Sequence, residues 1–185
     1  MQAPLSIMAD RAIDHPLTPR RRWFLKTALA IGALGASLGG LVYWHRGMRE
    51  GHLTQEGRSV FRALAIGFVG PMLPQDPARR EAVLKAHLDH LEPFLNNLPQ
   101  VLQVQVNAIV GLLANGVTRR MLTGLPTDWD SATPAQLAAA FDNMRRHPLP
   151  SNRLTYQVVR SITCMTFFAN SDHWSLTGYP GPVDL

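Results

Sequence analysis

The 185-residue chain predicts an all-α fold: an irregular bundle of five or six helices after an N-terminal hydrophobic signal or anchor helix, closed by a C-terminal tail rich in Gly, Pro and aromatic residues. Three observations carry that prediction. Beyond residue 50, apolar residues recur at spacings of three and four, and strand-like alternation is scarce. Pro, Gly and Asn interrupt these periodic runs at short intervals, so each run stops before the next begins. Ahead of them, Thr27 to Trp44 contains no charged residue at all.

The first element is the leader, residues 1–50. Arg20, Arg21 and Arg22 are followed in register by Trp23, Phe24, Leu25 and Lys26, and then at once by the uncharged stretch. An arginine pair alone is an ordinary basic flank. The full run Arg21-Arg22-Trp23-Phe24-Leu25-Lys26, joined to a stretch diluted by Gly32, Gly35, Gly39 and Gly40, fits a twin-arginine export signal, which carries proteins out of the bacterial cytoplasm already folded. Arg20 departs from that pattern, which has Ser or Thr before the pair. At 1.5 Å per helical residue the uncharged stretch reaches about 27 Å, close to the roughly 30 Å of a hydrocarbon core. No small-x-small cleavage site follows; Tyr43 and Trp44 stand there as interfacial aromatics, so a cleaved leader and a retained anchor both fit.

The helical body, residues 51–170, is delimited by its caps. Thr54 opens a helix with Val60, Phe61, Leu64, Ala65 and Phe68 on one face, stopping near Gly70-Pro71. Asp76-Pro77 opens the next, through Val83, Leu84, Leu88 and Leu91, with Pro93 expected to end it. From Pro99, the positions Leu102, Val106, Ile109 and Leu113 mark a helix that Asn115-Gly116 should close as a left-handed stop, with Val117 to Thr123 continuing at an angle. Thr133-Pro134-Ala135-Gln136 is a capping box with a first-turn proline; Leu137, Ala140, Phe141 and Met144 form the buried stripe and His147-Pro148 the end. The last long helix, about Ser151 to Phe168, should turn Leu154, Val158, Ile162, Met165 and Phe168 inward and stop at Asn170. Residues 171–185 mix Trp174 and Tyr179 with Gly178, Pro180, Gly181 and Pro182, which excludes continuous helix and leaves an ordered loop or a disordered tail.

Charge and cysteine exclude several classes. The formal charge of +5 is concentrated in residues 1–50, with seven basic against three acidic residues; the remainder has eleven against ten. A nearly neutral body has no electrostatic footprint for nucleic acid, so no nucleic-acid partner is expected. Cys164 is the single cysteine, which rules out an internal disulfide and reads as a small buried hydrophobe in an apolar run.

Candidate chemistry is sparse. His87 and His90, at i and i+3, offer two ligands of a metal site in a stand-alone metalloenzyme, but the third ligand is not specified and the plainer reading is two polar residues on an exposed face. His173 beside Asp172 offers an acid-base pair, in a segment that looks mobile. Asp128 and Asp130 around Trp129 read as capping and solvated carboxylates. Arg119-Arg120 and Arg145-Arg146 read as solvated helix ends or as contacts for a partner's acidic surface. Nucleophile elbow, haem site, phosphate loop and dinucleotide fingerprint are all missing, so no catalytic, metal or cofactor-binding residue is assigned.

The leader, the start Leu53-Thr54 through Phe61-Arg62-Ala63-Leu64, the turn Met72-Leu73-Pro74 and above all the close, Phe167-Phe168-Ala169-Asn170-Ser171-Asp172-His173-Trp174 with Gly178-Tyr179-Pro180-Gly181-Pro182, together resemble a known family. It is the small twin-arginine-leader subunit of membrane-associated flavin dehydrogenases of the glucose-methanol-choline type, similar to gluconate 2-dehydrogenase subunit 3. The resemblance implies a non-catalytic accessory chain. It would escort a large flavoprotein subunit, which holds the FAD, to the periplasm as a folded complex, with possible attachment to the inner membrane. It further implies that Arg21, Arg22, Phe24, Leu25 and Lys26 meet the twin-arginine translocase, and that Phe167, Phe168, Trp174, Tyr179, Pro180 and Pro182 meet the flavoprotein. An adaptor tethered to the membrane without a redox partner is the other non-enzymatic reading.

Overall fold

Thr54 opens the helical body as its sequence predicts: its hydroxyl accepts the Gly57 N–H at 3.0 Å, and helix α1 runs Gln55–Val69. A computed structural model describes residues 46–180, so the export-signal residues Arg21, Arg22, Phe24, Leu25 and Lys26, and Pro182, lie outside the described residues. The other α-helices among the described residues are α2 (Pro77–Asn96), α3 (Gln100–Ala114), α4 (Gly116–Thr123), α5 (Pro134–Arg146), α6 (Pro150–Ala169) and the single turn α7 (Trp174–Thr177). Among the described residues the fold is all-α apart from one hairpin, β1 (Met48–Arg49) with antiparallel β2 (His52–Leu53).

That hairpin has no counterpart in the sequence reading. Its two-residue turn, Glu50-Gly51, takes positive φ at both positions, 50° and 83°, the geometry that joins tightly twisted strands. It seats the chain on the bundle as it enters. A Cβ on Gly57 would lie 2.1 Å from the Gly47 carbonyl oxygen, so only glycine lets the hairpin approach α1 this closely. Asn107 of α3 clasps the same strand, accepting from the Met48 N–H at 2.9 Å.

Helix α1 is the axis of the bundle and packs against α2, α3, α5 and α6. Phe61 and Leu64 are fully buried on it, alongside Leu91, Leu113, Leu137 and Met144 from its neighbours. Burial of each such side chain contributes roughly 2 kcal/mol, which is why the three-and-four spacing dictates the assembly. A smaller cluster, Ala65, Val69, Leu73, Leu84 and Phe167, closes one end and receives Leu176 from α7.

Three helix details differ from the sequence reading. Pro93 does not end α2, which continues to Asn96; the buried Leu91 and Leu95 hold the last turn against the core and outweigh the missing N–H. Asn115-Gly116 is not a left-handed stop. Asn115 has extended backbone (φ −70°, ψ 128°), and its side chain accepts from the N–H groups of Val117 and Thr118, so it caps the start of α4 at a 93° bend from α3. On α6 the buried face is Asn152, Thr155, Val159, Ile162, Thr163, Thr166 and Phe167, with Met165 and Phe168 turned outward. Thr155, Thr163 and Thr166 donate their hydroxyls to the carbonyls of Ser151, Val159 and Ile162, so these polar side chains enter the core already satisfied.

Among the described residues no single helix is long and apolar enough to cross a membrane; only the bent pair α3 and α4 has the composition.

Candidate docking surface

Helix α6 ends at Asn170, as its sequence predicts, and the chain reverses there through side-chain hydrogen bonds. Asn170 Oδ1 accepts the Asp172 N–H at 3.0 Å and starts a 3-10 turn over Ser171–His173. Helix α7 follows, and Gly178, at φ 75°, closes it in the left-handed region. The segment after Asn170 is therefore two short helical turns held against the bundle, not a loose end.

Three contacts hold it. His173, only 2% exposed, stacks on Phe167 with ring centroids 4.3 Å apart and lies 2.9 Å from the Phe167 carbonyl through Nδ1. Trp174 Nε1–H donates to the Phe168 carbonyl at 2.9 Å. The Tyr179 N–H donates to the Trp174 carbonyl at 3.2 Å, and the two rings meet edge to face at 5.3 Å. The result is an apolar surface of ordered side chains: Phe168 at 41% exposure, Tyr179 at 50%, the half-buried Trp174, and Met165 one turn earlier on α6 at 57%.

Of the residues expected to meet a partner, Phe168, Trp174, Tyr179 and Pro180 are thus at the surface. Phe167 is not: it is fully buried, so its part is to hold the segment from beneath. Met165 was expected inside and belongs to the surface instead. The threonines at 155, 163 and 166, which share the buried face of α6, were the available signal for it.

The histidines separate. His87 is fully buried, against the expectation of an exposed face, and both its ring nitrogens lack hydrogen-bond partners. His90 is exposed, with Nδ1 2.9 Å from the Ala86 carbonyl. His173 is likewise buried, against the expectation of a mobile segment. Burial pushes the His87 pKa down from 6.5 to about 4, and the like charges that His173 and His90 would carry push the same way. Asn170 links the group: its Oδ1 is committed to Asp172, so Nδ2 faces His173 Nε2 and His90 Nδ1, each at 3.4 Å. Among the described residues, no three His, Cys, Asp or Glu side chains are grouped so as to hold a metal ion.

Elsewhere, a polar cleft of about 370 Å³ lies over Trp129 and is lined by Glu56, Ser59, Arg119, Asp128 and Asp130. Arg119, expected in solvent, is buried and paired with Asp128 at 2.8 Å; Ser59 donates to Asp130 at 2.6 Å. Asp128 stands at the N-cap of the Trp129–Ser131 3-10 turn without a side-chain capping hydrogen bond, and its carboxylate is 83% exposed. The two carboxylates instead hold the Trp129 turn onto α1 and α4, while the Trp129 indole N–H donates to the Leu113 carbonyl at 2.8 Å. Cys164 is half-buried, and burial raises its thiol pKa against the opposing effect of Arg160.

No protein-family model, curated protein or solved structure matches this chain significantly.

Proposed function

We propose that this chain is a non-catalytic accessory subunit that binds a flavin-dependent dehydrogenase and escorts it, folded, to the periplasm. The observation that carries the reading is the ordered apolar surface of Phe168, Trp174 and Tyr179, which stands at the end of a chain whose leader fits a twin-arginine signal. Trp and Tyr supply large rigid contact area at low entropic cost and dominate the energetics of protein interfaces. Their mutual packing and the Trp174 hydrogen bond hold them in place before any partner arrives, which lowers the ordering cost of association. The FAD resides in the partner, and electrons from its substrate do not pass through this chain. The uncharged Thr27–Trp44 stretch brings the complex to the inner membrane, and Arg21 and Arg22 address it to the translocase.

The surface is tested by Trp174→Ala combined with Tyr179→Ala in the full-length chain, co-expressed with the large flavoprotein subunit. Each anchor of this kind is worth about 2 kcal/mol or more, about thirty-fold in affinity, so the pair together is expected to weaken the complex by up to about a thousand-fold. Yellow flavoprotein should then be lost from affinity-captured material. Undiminished recovery would contradict the assignment, and the absence of any flavoprotein with the wild-type chain would favour an adaptor without a redox partner.

A further inference from the structure

The hairpin is gripped by three helices where the leader meets the bundle. At the start of α1, Thr54 donates its N–H to the Gly47 carbonyl at 2.9 Å and its hydroxyl to the Arg46 carbonyl at 2.8 Å. On α3, the Asn107 side chain bonds both the N–H and the carbonyl of Met48, at 2.9 and 3.3 Å. At the end of α2, Glu92 accepts the Leu53 N–H at 3.1 Å and the Asn96 amide donates to the Gly51 carbonyl at 2.7 Å. Gly47 itself is pressed to the bundle, since a Cβ on it would collide with Val110.

These contacts limit how far the bundle can stand from the leader. Trp44, the last residue of the uncharged stretch, is three residues before Gly47, and three residues of fully extended chain span at most about 11 Å. The polar layer on each side of a hydrocarbon core is roughly 5–8 Å deep. With Trp44 at the hydrocarbon edge, Gly47 rises no more than about 6 Å above the headgroups, less than the diameter of one helix. What flanks the hairpin suits that place. Val104, one turn before Asn107 on the uncharged α3, and Val101, one turn further, are 64% and 69% exposed. The exposed Arg49 is offset by Glu50 and Glu56, so proximity and hydrocarbon, not net charge, make the contact.

We infer that the hairpin end of the bundle, with Val101 and Val104, lies against the lipid surface of the inner membrane. The inference rests on the reading that Thr27–Trp44 enters that membrane. It gives the molecule a direction. The hairpin sits at the start of α1, whereas Leu176 of α7 packs with Ala65 and Val69 near its other end, and α1 rises about 21 Å between Gln55 and Val69. Lipid and protein partner then meet opposite ends of one helix, with Phe168, Trp174 and Tyr179 held clear of the bilayer.

A photoreactive phenylalanine analogue incorporated at Arg49 or at Val104 tests it, in the full-length chain in bacterial membranes. Ala78, at the start of α2 and about 27 Å along that helix from Asn96, is the reference position. All three residues are exposed, so the analogue is accommodated without disturbing the core. On illumination, lipid adducts are expected at 49 and 104, with only background at 78. A membrane-held chain that gives no lipid adduct at 49 and 104, or as much at 78, would overturn the inference while leaving the membrane reading intact. Protein adducts in place of lipid at 104 would overturn it in favour of a protein contact. A chain missing from the membrane fraction removes the membrane reading, and the inference with it.

Discussion

Acidification from about pH 7.5 to about pH 4.5 is expected to release the segment after Asn170 before the rest of the bundle unfolds. His87 is the cause. Its pKa falls from 6.5 in the open chain to about 4 in the fold, so the fold accepts only the neutral ring. Above pH 6.5 the imidazole is neutral in both states, and the stability of the native packing is complete. Below that, the unfolded chain takes up a proton that the folded chain refuses, and about 3 kcal/mol is lost as pH falls from 6.5 towards 4. The charges that bear on His87 are two more imidazoles, His90 on its own helix and His173 on the segment, and no carboxylate. The nearby acids are engaged elsewhere: Asp89 with Lys85 and Arg58, Glu92 with Arg58 and His52, Glu81 with Arg62. On α6, Arg160 adds only positive charge and Cys164 none. Hydrogen exchange across 171–180, followed against pH, should show opening within this window, and His87→Leu should shift the opening to lower pH. An identical pH profile in the variant would contradict the account. Because the released segment carries Trp174, acid should weaken the proposed complex in step.

Replacing Arg21 and Arg22 together by Lys is expected to abolish export and leave the product in the cytoplasm. The substitution separates two readings of the leader. A basic flank that merely orients a membrane segment works through charge, which lysine preserves. A twin-arginine signal read by a receptor depends on the guanidinium fork, which lysine does not supply. Fractionation of cells carrying the variant should show periplasmic product at background. Normal export would mean that charge alone is being used.

Much of the architecture was legible because local chemistry and packing agree. Thr54, Asp76 and the Thr133–Gln136 box cap the helices they announce, and Leu137, Ala140, Phe141 and Met144 are buried as their spacing requires. The exceptions share a physical origin, since in each a side chain satisfies itself in a way that hydropathy does not register. Thr163 and Thr166 return their hydroxyls to their own helix, so they lie on the buried face of α6 without an unmet donor while Met165 and Phe168 stay exposed. Asn115 uses its amide as a cap instead of adopting positive φ, so a helix stop becomes a sharp bend. The hairpin was illegible because its strands have two residues each and its turn places Glu50 where Asn or Asp would give the signal. At the candidate surface, Trp174 and Tyr179 were legible as anchors from composition. Their support was not: nothing local to His87 shows that it meets His173 and Phe167 across eighty residues of chain.

The most direct test of the escort role is the location of the large flavoprotein subunit when it is expressed with and without this chain. The account predicts FAD-loaded flavoprotein in the periplasm only when the chain is present with Arg21 and Arg22 intact, and in the cytoplasm otherwise. Equal periplasmic flavoprotein in its absence would contradict it.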